Sequence, residues 1–594
     1  MLDISPENLL REVQEACKHR EKHTRPAREL VRAYATNAYR DDWADPNLKN
    51  HENFLYEWVT NTIPNIVDQN PRVCVEAADG EDEMYEALED GLNGLIEASD
   101  LAHTLTEIAV DMQFCFGVGM CTLETTPGGS AGTEAFSDDD AGPLPIDNSS
   151  LPSVRPRFHR IDPDLFFMDP LAGSWRRPRF VGHIWIEDRE NLKNAKDKIG
   201  RPIFNQDAID QLSSEGVEAT FKRISDIETG VNHRPDRNQV VGYEVYVPET
   251  GLIYTLSYHN IGGANSAKYL REPRKYVGPA TGPYVIFGSQ TVPGQVYPLS
   301  PLQATRDLWD ELNAHAEQAS RDAQTAKKLV VVDGRQVGDP IRRAESGSVV
   351  TIPGFANSME QVDLGGVNPS TLEYMGVLRE RLDRLVGLTD TVRGNITGAT
   401  AEEISVAQRN RNLRVRMMQN SFRRSVVQLV TVAAWHMWFL PEVRFEFRKK
   451  LGEEGGSVGA TFQGGVENEK DALKFDGVQI RIQPYSMEYV DEAVKQRRIQ
   501  EAGALAVQTM QAAFQNPALN ARELLNDIFE SMNIRGAGDR YINWQVFEEM
   551  RRMAAIQMLA PAMQAAGAMQ QMQSAGPTTE VRANAGELTG GNAA

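Results

Sequence analysis

The segment from Pro298 to Phe439 constrains the fold more than any other part of this 594-residue chain. Residues 302–326 contain no glycine or proline, and apolar or small side chains recur there every three or four positions. This pattern predicts one helix of about 38 Å. Short β-type runs follow at Leu329–Val332 and Ser348–Ile352, and glycine and proline separate them.

The second half of this segment is also mostly helical in pattern. A loop is expected at 387–399 (GLTDTVRGNITGA), and a long helix from Thr400 to Phe439, because Thr400 and Glu403 have capping-box spacing. The apolar run at 426–440 is shorter than the ~20 residues that cross a bilayer, so we expect a buried helix there. A further helix is predicted over 370–386, with these residues on one face: Leu372, Met375, Leu378, Leu382 and Leu385.

The rest of the chain mixes both kinds of pattern. Helices are expected over the first 40 residues, from Phe54 to Val67 and over 82–113, and Pro64 is expected to kink or end the second of them. Alternating apolar residues predict strands between 154 and 190 and between 240 and 287. The fold class is therefore α+β and mostly helical.

Charge and composition limit the functional classes. The formal net charge is −21, so the chain repels polyanions on average, and any DNA contact must be local or loose. The four cysteines form no Cys-x-x-Cys pair and no histidine cluster lies near them, which predicts free thiols in a reducing compartment. These are Cys17, Cys74, Cys115 and Cys121.

Local signatures of catalysis are missing from the sequence. It has no phosphate-binding loop, no His-Glu-x-x-His zinc motif and no Gly-x-Ser-x-Gly elbow. The Gly-x-Gly within Phe116–Met120 lacks a third glycine at the dinucleotide-binding spacing, which favours a close-packed turn. We expect no enzyme, no cofactor and no metal site, although an enzyme whose site is assembled from distant residues stays a rival hypothesis.

Taken in order, helix, β-insert, helix, Gly/Thr loop and long helix resemble the portal proteins of tailed double-stranded DNA phages. The resemblance covers about residues 50 to 560, and each motif is soft by itself. The sequences that carry it are Asn65–Val73 (NIVDQNPRV), Gly278–Phe287 (GPATGPYVIF), Tyr297–Pro301 (YPLSP), Asp310–Asn313 (DELN) and Thr400–Glu403 (TAEE).

This resemblance implies a homo-oligomeric ring, usually a dodecamer, at one capsid vertex of the virion, assembled in the host cytoplasm. Double-stranded DNA would pass through its channel during genome packaging and ejection. The implied partners are the terminase ATPase, the major capsid protein, the scaffolding protein and a head-tail adaptor, and no membrane is involved. A virion structural or adaptor protein without a portal ring is the main alternative.

The resemblance also divides the chain into regions with separate roles. These are 1–298, N-terminal helices and an α/β wing; 299–326, the first stem helix; 327–368, a β-containing clip; 369–386, the second stem helix; 387–399, a channel loop; 400–440, a long wing helix; 441–487, wing β elements; 488–573, a helical crown or barrel; and 574–594, a disordered tail.

The channel loop is the first candidate site. Its glycines give backbone freedom, and its neutral side chains can hydrogen-bond to phosphates. A linker that touches nothing is the alternative interpretation. The candidate residues are Thr389, Asp390, Thr391, Arg393, Asn395 and Thr397.

Two groups of basic residues are the other candidates. Arginines crowd the long helix and point in several directions, which favours contacts between subunits over one DNA-facing stripe: Arg409, Arg411, Arg414, Arg416, Arg423 and Arg424. The clip has a basic patch that could bind the motor or the adaptor, or could be a solvated rim: Lys327, Lys328, Arg335, Arg342 and Arg343.

Overall fold

The computed structural model describes most of the chain and shows two compact units, Met1–Tyr489 and Val490–Ala594. The described residues are 3–35, 53–76, 83–126, 153–195, 201–210, 212, 239–257, 268–333, 349–352, 360–364, 366–386, 413–450, 457–465, 475–483, 486–487, 492–515, 520, 522, 524–525, 544 and 546–553.

More of the described residues lie in helices than in strands, which confirms an α+β chain that is mostly helical. The helices are α1 (Pro6–Ala35), α2 (Phe54–Ile66), α3 (Glu83–Ser99), α4 (Leu101–Phe114), α5 (Arg189–Asn194), α6 (Gln206–Asp210), α7 (Pro301–Ala304), α8 (Arg306–Thr325), α9 (Pro369–Val386), α10 (Leu413–Phe439) and α11 (Glu492–Gln515).

Fifteen described strands form four sheets, all of them in the first unit. The strands are β1 (Val73–Glu76), β2 (Gly117–Thr126), β3 (Ser153–Arg160), β4 (Phe166–Met168), β5 (Val181–Asp188), β6 (Gln239–Val247), β7 (Leu252–Ser257), β8 (Arg274–Lys275), β9 (Tyr284–Phe287), β10 (Lys327–Asp333), β11 (Val349–Ile352), β12 (Glu360–Leu364), β13 (Arg444–Lys450), β14 (Ser457–Gln463) and β15 (Gln479–Ile482).

Two five-stranded antiparallel sheets contain ten of the fifteen described strands. One has the order β14-β13-β3-β2-β9 and joins strands from distant parts of the chain, whereas β4 to β8 follow one another in the second. A separate pair joins β1 to β15, and the remaining sheet has the order β11-β10-β12. Apolar residues of α1, among them Leu9, Val13 and Ala16, share a buried cluster with the second sheet.

Helix α10 forms the centre of the main core. Its residues Phe422, Val426 and Leu429 are fully buried, as expected for the apolar run that begins at Val426. Two serines of this helix also bind the neighbouring sheet: Ser425 Oγ donates to the Ile286 carbonyl at 3.0 Å, and Ser421 Oγ donates to Gly288 at 2.7 Å. Because β9 is the edge strand of that sheet, these bonds satisfy the carbonyl groups of Ile286 and Gly288, at and just after the strand.

The N-terminal helix is fixed to the sheets by a buried ion pair. The Arg28 guanidinium donates two hydrogen bonds to Asp164, each of 2.8 Å, and both side chains are about nine-tenths buried. Two parallel bonds of this kind fix orientation as well as distance. Arg20, about two turns earlier in the helix, is completely buried and donates to the Phe166 carbonyl at 3.3 Å.

Two of the predicted helices are each divided in the structure. The helix expected over 302–326 breaks at Thr305, whose hydroxyl bonds back to the carbonyls of Pro301 and Leu302. The helix expected over 82–113 breaks at Asp100, which has a φ of 46°. Neither break has a glycine or proline to signal it, because each depends on a single residue's backbone geometry.

The Gly-x-Gly near residue 117 is a site of close packing, as the sequence indicated. A Cβ atom at Gly117 would lie 2.6 Å from the Ile108 carbonyl oxygen of α4, so only glycine allows β2 to approach that helix. No helix among the described residues is long and apolar enough to cross a membrane.

Candidate functional site

The helical hairpin of residues 306–386 is the best-defined candidate site. Helix α8 ends at Thr325, and β10 begins two residues later at Lys327. In the small sheet, β10 pairs in parallel with β11 and antiparallel with β12, and α9 then begins at Pro369. The hairpin therefore places a three-stranded sheet between two helices, in the order the sequence predicted.

The two helices of the hairpin pack on each other through large apolar side chains. Trp309 and Leu312 of α8 belong to the same buried cluster as Leu378 and Leu382 of α9, both of which are fully buried. At the edge of this contact, the Tyr374 hydroxyl hydrogen-bonds to a Glu311 carboxylate oxygen at 2.7 Å. The hairpin is thus a defined structural unit.

Part of α9 is not covered by its own chain. The sequence placed Leu372 and Leu385 on one face with Leu378 and Leu382, but they are 53% and 48% exposed in the structure. Val377 is 42% exposed and, with Arg381 and Leu385, forms a row at four-residue spacing along the helix.

The exposed row continues into a groove beside α10. Met417 is 63% exposed and lines a cavity of about 260 Å³ together with Leu385, Trp58 and Pro301. Scattered exposed apolar residues are ordinary, but a contiguous group of them marks a contact surface. We call Val377, Arg381 and Leu385 of α9, together with the neighbouring Met417 of α10, the α9 row.

The charges of the hairpin are unevenly distributed. Helix α8 carries five carboxylates and two arginines, whereas α9 carries three of each sign. Both arginines of α8 are engaged: Arg306 pairs with Glu29 at 2.6 Å and with Asp310 at 3.4 Å, and Arg321 pairs with Glu317. The exposed surface of α8 is therefore net acidic.

The other predicted site residues are only partly described. The whole channel loop lies outside the described residues: Thr389, Asp390, Thr391, Arg393, Asn395 and Thr397. The same is true of Arg335, Arg342 and Arg343 of the clip patch and of Arg409 and Arg411 of the arginine group.

Those that are described lie on two elements. Lys327 and Lys328 are the first residues of β10, next to each other at the start of the hairpin's sheet. Arg414 lies in the first turn of α10, Arg416 and Arg424 are exposed on that helix, and Arg423 is half-buried. Their roles at a subunit contact stay a prediction.

None of the four cysteines has an exposed thiol. Cys17, Cys115 and Cys121 are buried and Cys74 is half-buried, and burial raises the pKa of Cys115 and Cys121 well above its ordinary value. Such thiols are poor nucleophiles. Within the described ranges, no group of three or more His, Cys, Asp and Glu side chains could hold a metal ion. The sequence matches no protein-family model and no curated protein.

Proposed function

We propose that this chain is the subunit of a portal ring of a tailed phage, a conduit for double-stranded DNA at one capsid vertex. The observation that carries this proposal is the helical hairpin of residues 306–386, whose α9 row is exposed in a single chain. The motifs that resemble portal proteins, and the order of elements around them, support the same function.

The α9 row gives a physical reason for assembly. Full burial of a Leu or Val side chain contributes about 1.5–3 kcal/mol, so covering the exposed halves of Val377 and Leu385 contributes about 2 kcal/mol per contact. The exposed surface of α8 is net acidic and so differs from this row in charge. A contact between two different surfaces of identical chains is head-to-tail, and such contacts close into rings when the rotation allows it.

The acidic helix α8 suits a conduit better than a DNA-binding surface. Duplex DNA carries one negative charge per ~1.7 Å of its axis, so a basic lining would hold it in place. Net negative charge on α8 repels phosphates instead and would leave the duplex free to slide. The formal charge of −21 for the whole chain has the same sign.

The remaining partners follow from this proposal. The sheet of β10, β11 and β12, which begins at Lys327 and Lys328, would bind the terminase ATPase during packaging and the head-tail adaptor afterwards. Capsid and scaffolding proteins would surround the ring in the virion. Since the sequence has no phosphate-binding loop, ATP hydrolysis belongs to the motor in this scheme.

The assembly contact can be tested by sedimentation velocity on the purified full-length chain. We expect the wild type to sediment as one large oligomer, and Leu385→Asp or Val377→Asp to shift it towards monomers, because each places a charge in the apolar contact. Ile203→Asp is the matched control, since Ile203 is 40% exposed and lies on the α5–α6 connection. A monomeric wild type, or variants that assemble normally, would overturn the proposed contact. A defined oligomer that shows no axial opening in electron micrographs would favour an adaptor protein.

A further inference from the structure

The connection between β4 and β5, residues 169–180, is an exposed loop held by a buried carboxylate. Asp169 is completely buried and accepts hydrogen bonds from Arg179 Nε at 2.6 Å, from Arg179 Nη2 at 2.8 Å and from the Leu171 backbone amide at 2.9 Å. Burial opposes its ionisation, but these bonds hold the pKa of Asp169 below its ordinary value. The loop is therefore fixed in shape before it meets any partner.

This rigid loop exposes an unusual set of side chains. Leu171 is 75% exposed, the most exposed large apolar residue described in the chain. Arg176 and Arg177 are also exposed, and neither has a carboxylate partner among the described residues. Arg179, in contrast, is neutralised by Asp169 and lies 3.6 Å from Glu12.

An apolar groove opens beside the loop. It has a volume of about 210 Å³ and is lined by Trp175, Pro178, Pro279 and Val432, with Arg176 at its rim and no carboxylate in its lining. The Arg176 guanidinium lies 5.7 Å from the centre of the Trp175 ring, in a cation–π arrangement. The groove can hold one bulky apolar side chain.

A third cation lies close to the groove, on α10. Gln428 and Thr431 of that helix line the groove, and Arg424 precedes Gln428 by four residues, so it projects from the same helix face about one turn away. Arg424 is exposed and also has no carboxylate partner within the described ranges. Arg176 lines the groove, Arg177 follows it in the loop, and Arg424 lies about one turn from the groove on α10, so this part of a chain with a formal net charge of −21 carries a local group of cations.

We propose that the 169–180 loop and this groove form a docking site for an acidic protein segment that carries a bulky apolar side chain. The apolar side chain enters the groove against Trp175, and flanking carboxylates pair with Arg176, Arg177 and Arg424. Charge complementarity selects an acidic partner, and the groove distinguishes a peptide from duplex DNA, whose backbone offers phosphates but no apolar side chain. This site does not depend on the proposed portal ring.

Selection of short random peptides from a displayed library, with the full-length chain as bait, tests the site directly. We expect enriched peptides to combine Asp or Glu with Leu, Phe or Trp. The double variant Arg176→Glu/Arg177→Glu should weaken the selected peptide's affinity, measured by fluorescence anisotropy, by tenfold or more, roughly the effect of reversing charges at an interface. Gln428→Trp, which fills the groove from an exposed position, should also abolish binding.

The matched control is Arg201→Glu, because Arg201 is exposed but lies outside the loop and the groove. Binding of the selected peptide should be unchanged in this variant and should weaken with added salt. The proposal is overturned if no acidic peptides are enriched, or if the Arg176/Arg177 reversal leaves binding unchanged. It is also overturned if duplex DNA binds with the same dependence on these arginines while the peptides do not.

Discussion

Protonation of His436 should destabilise the folded protein as the pH falls from about 7 to about 5. His436 lies near the end of α10, is 2% exposed, and its Nδ1 atom has no hydrogen-bond partner among the described residues. Burial lowers the pKa of His436 to about 4, from an ordinary value of 6.5. The neutral ring is accommodated in the core and the charged ring is not.

The sign and size of the effect follow from these two values. A histidine whose pKa is lower in the folded state contributes stability above the unfolded pKa, and that contribution is lost as the pH falls towards the folded pKa. For this group the free energy of unfolding should fall by about 2 kcal/mol between pH 7 and 5 and by about 3 kcal/mol once the pH is below 4.

Urea unfolding followed by tryptophan fluorescence measures this change. The Trp435 ring centre lies 5.6 Å from that of His436, so the signal reports on the same helix. The wild type and His436→Leu should be compared at both pH values, because other buried groups titrate equally in the two proteins. The wild type should lose about 2 kcal/mol more than the variant. Parallel losses would refute the assignment of a buried neutral ring to His436.

Three further predictions concern packing, an ion pair and the channel loop. Asp164→Asn should lower the free energy of unfolding by about 3–5 kcal/mol, because the buried Arg28 loses its paired, charge-assisted hydrogen bonds to this carboxylate; a change below about 1 kcal/mol would contradict this. Gly242→Ala should destabilise by about 1–3 kcal/mol in urea unfolding, since its Cβ would lie 2.0 Å from the Trp185 ring, whereas Gly173→Ala, with open space around it, should be neutral. Deletion of 389–397 should leave rings intact and reduce the DNA retained per head, and unchanged packaging would rule out a channel role.

Apolar periodicity was sufficient to predict most helices and many strands. The stripe through Leu378 and Leu382 predicted α9, and the run from Val426 predicted a buried helix, because both patterns result from burial of one helix face or of a whole helix. The break at Thr305 was missed, since a single hydroxyl that bonds back to the helix does not alter this periodicity.

Strand pairing could not be predicted from the sequence. Val154 of β3 pairs with Arg444 of β13, and Val73 of β1 pairs with Ile482 of β15. Such pairs join segments hundreds of residues apart, and each strand by itself carries only alternation and turn signals. The order of the first five-stranded sheet is therefore a property of the assembled core.

At the candidate sites, too, the order of the elements could be predicted from the sequence but the exposure of their side chains could not. The order of helix, sheet and helix in the 306–386 hairpin was predicted, but the exposure of Leu385 was not, because a helical stripe does not show how wide the packed face is. The 169–180 loop was not singled out, since it lies within a stretch where the sequence predicted only strands. Its significance depends on Asp169, which lies fully buried beneath exposed arginines in the structure.

Negative-stain electron microscopy of the purified full-length chain tests the portal proposal most directly. We expect closed rings with rotational symmetry and a central opening wide enough for a B-form duplex, and we expect Leu385→Asp to reduce their number. Monomers, open fibres or closed particles without an axial opening, observed at concentrations where the wild type is folded, would contradict the proposal.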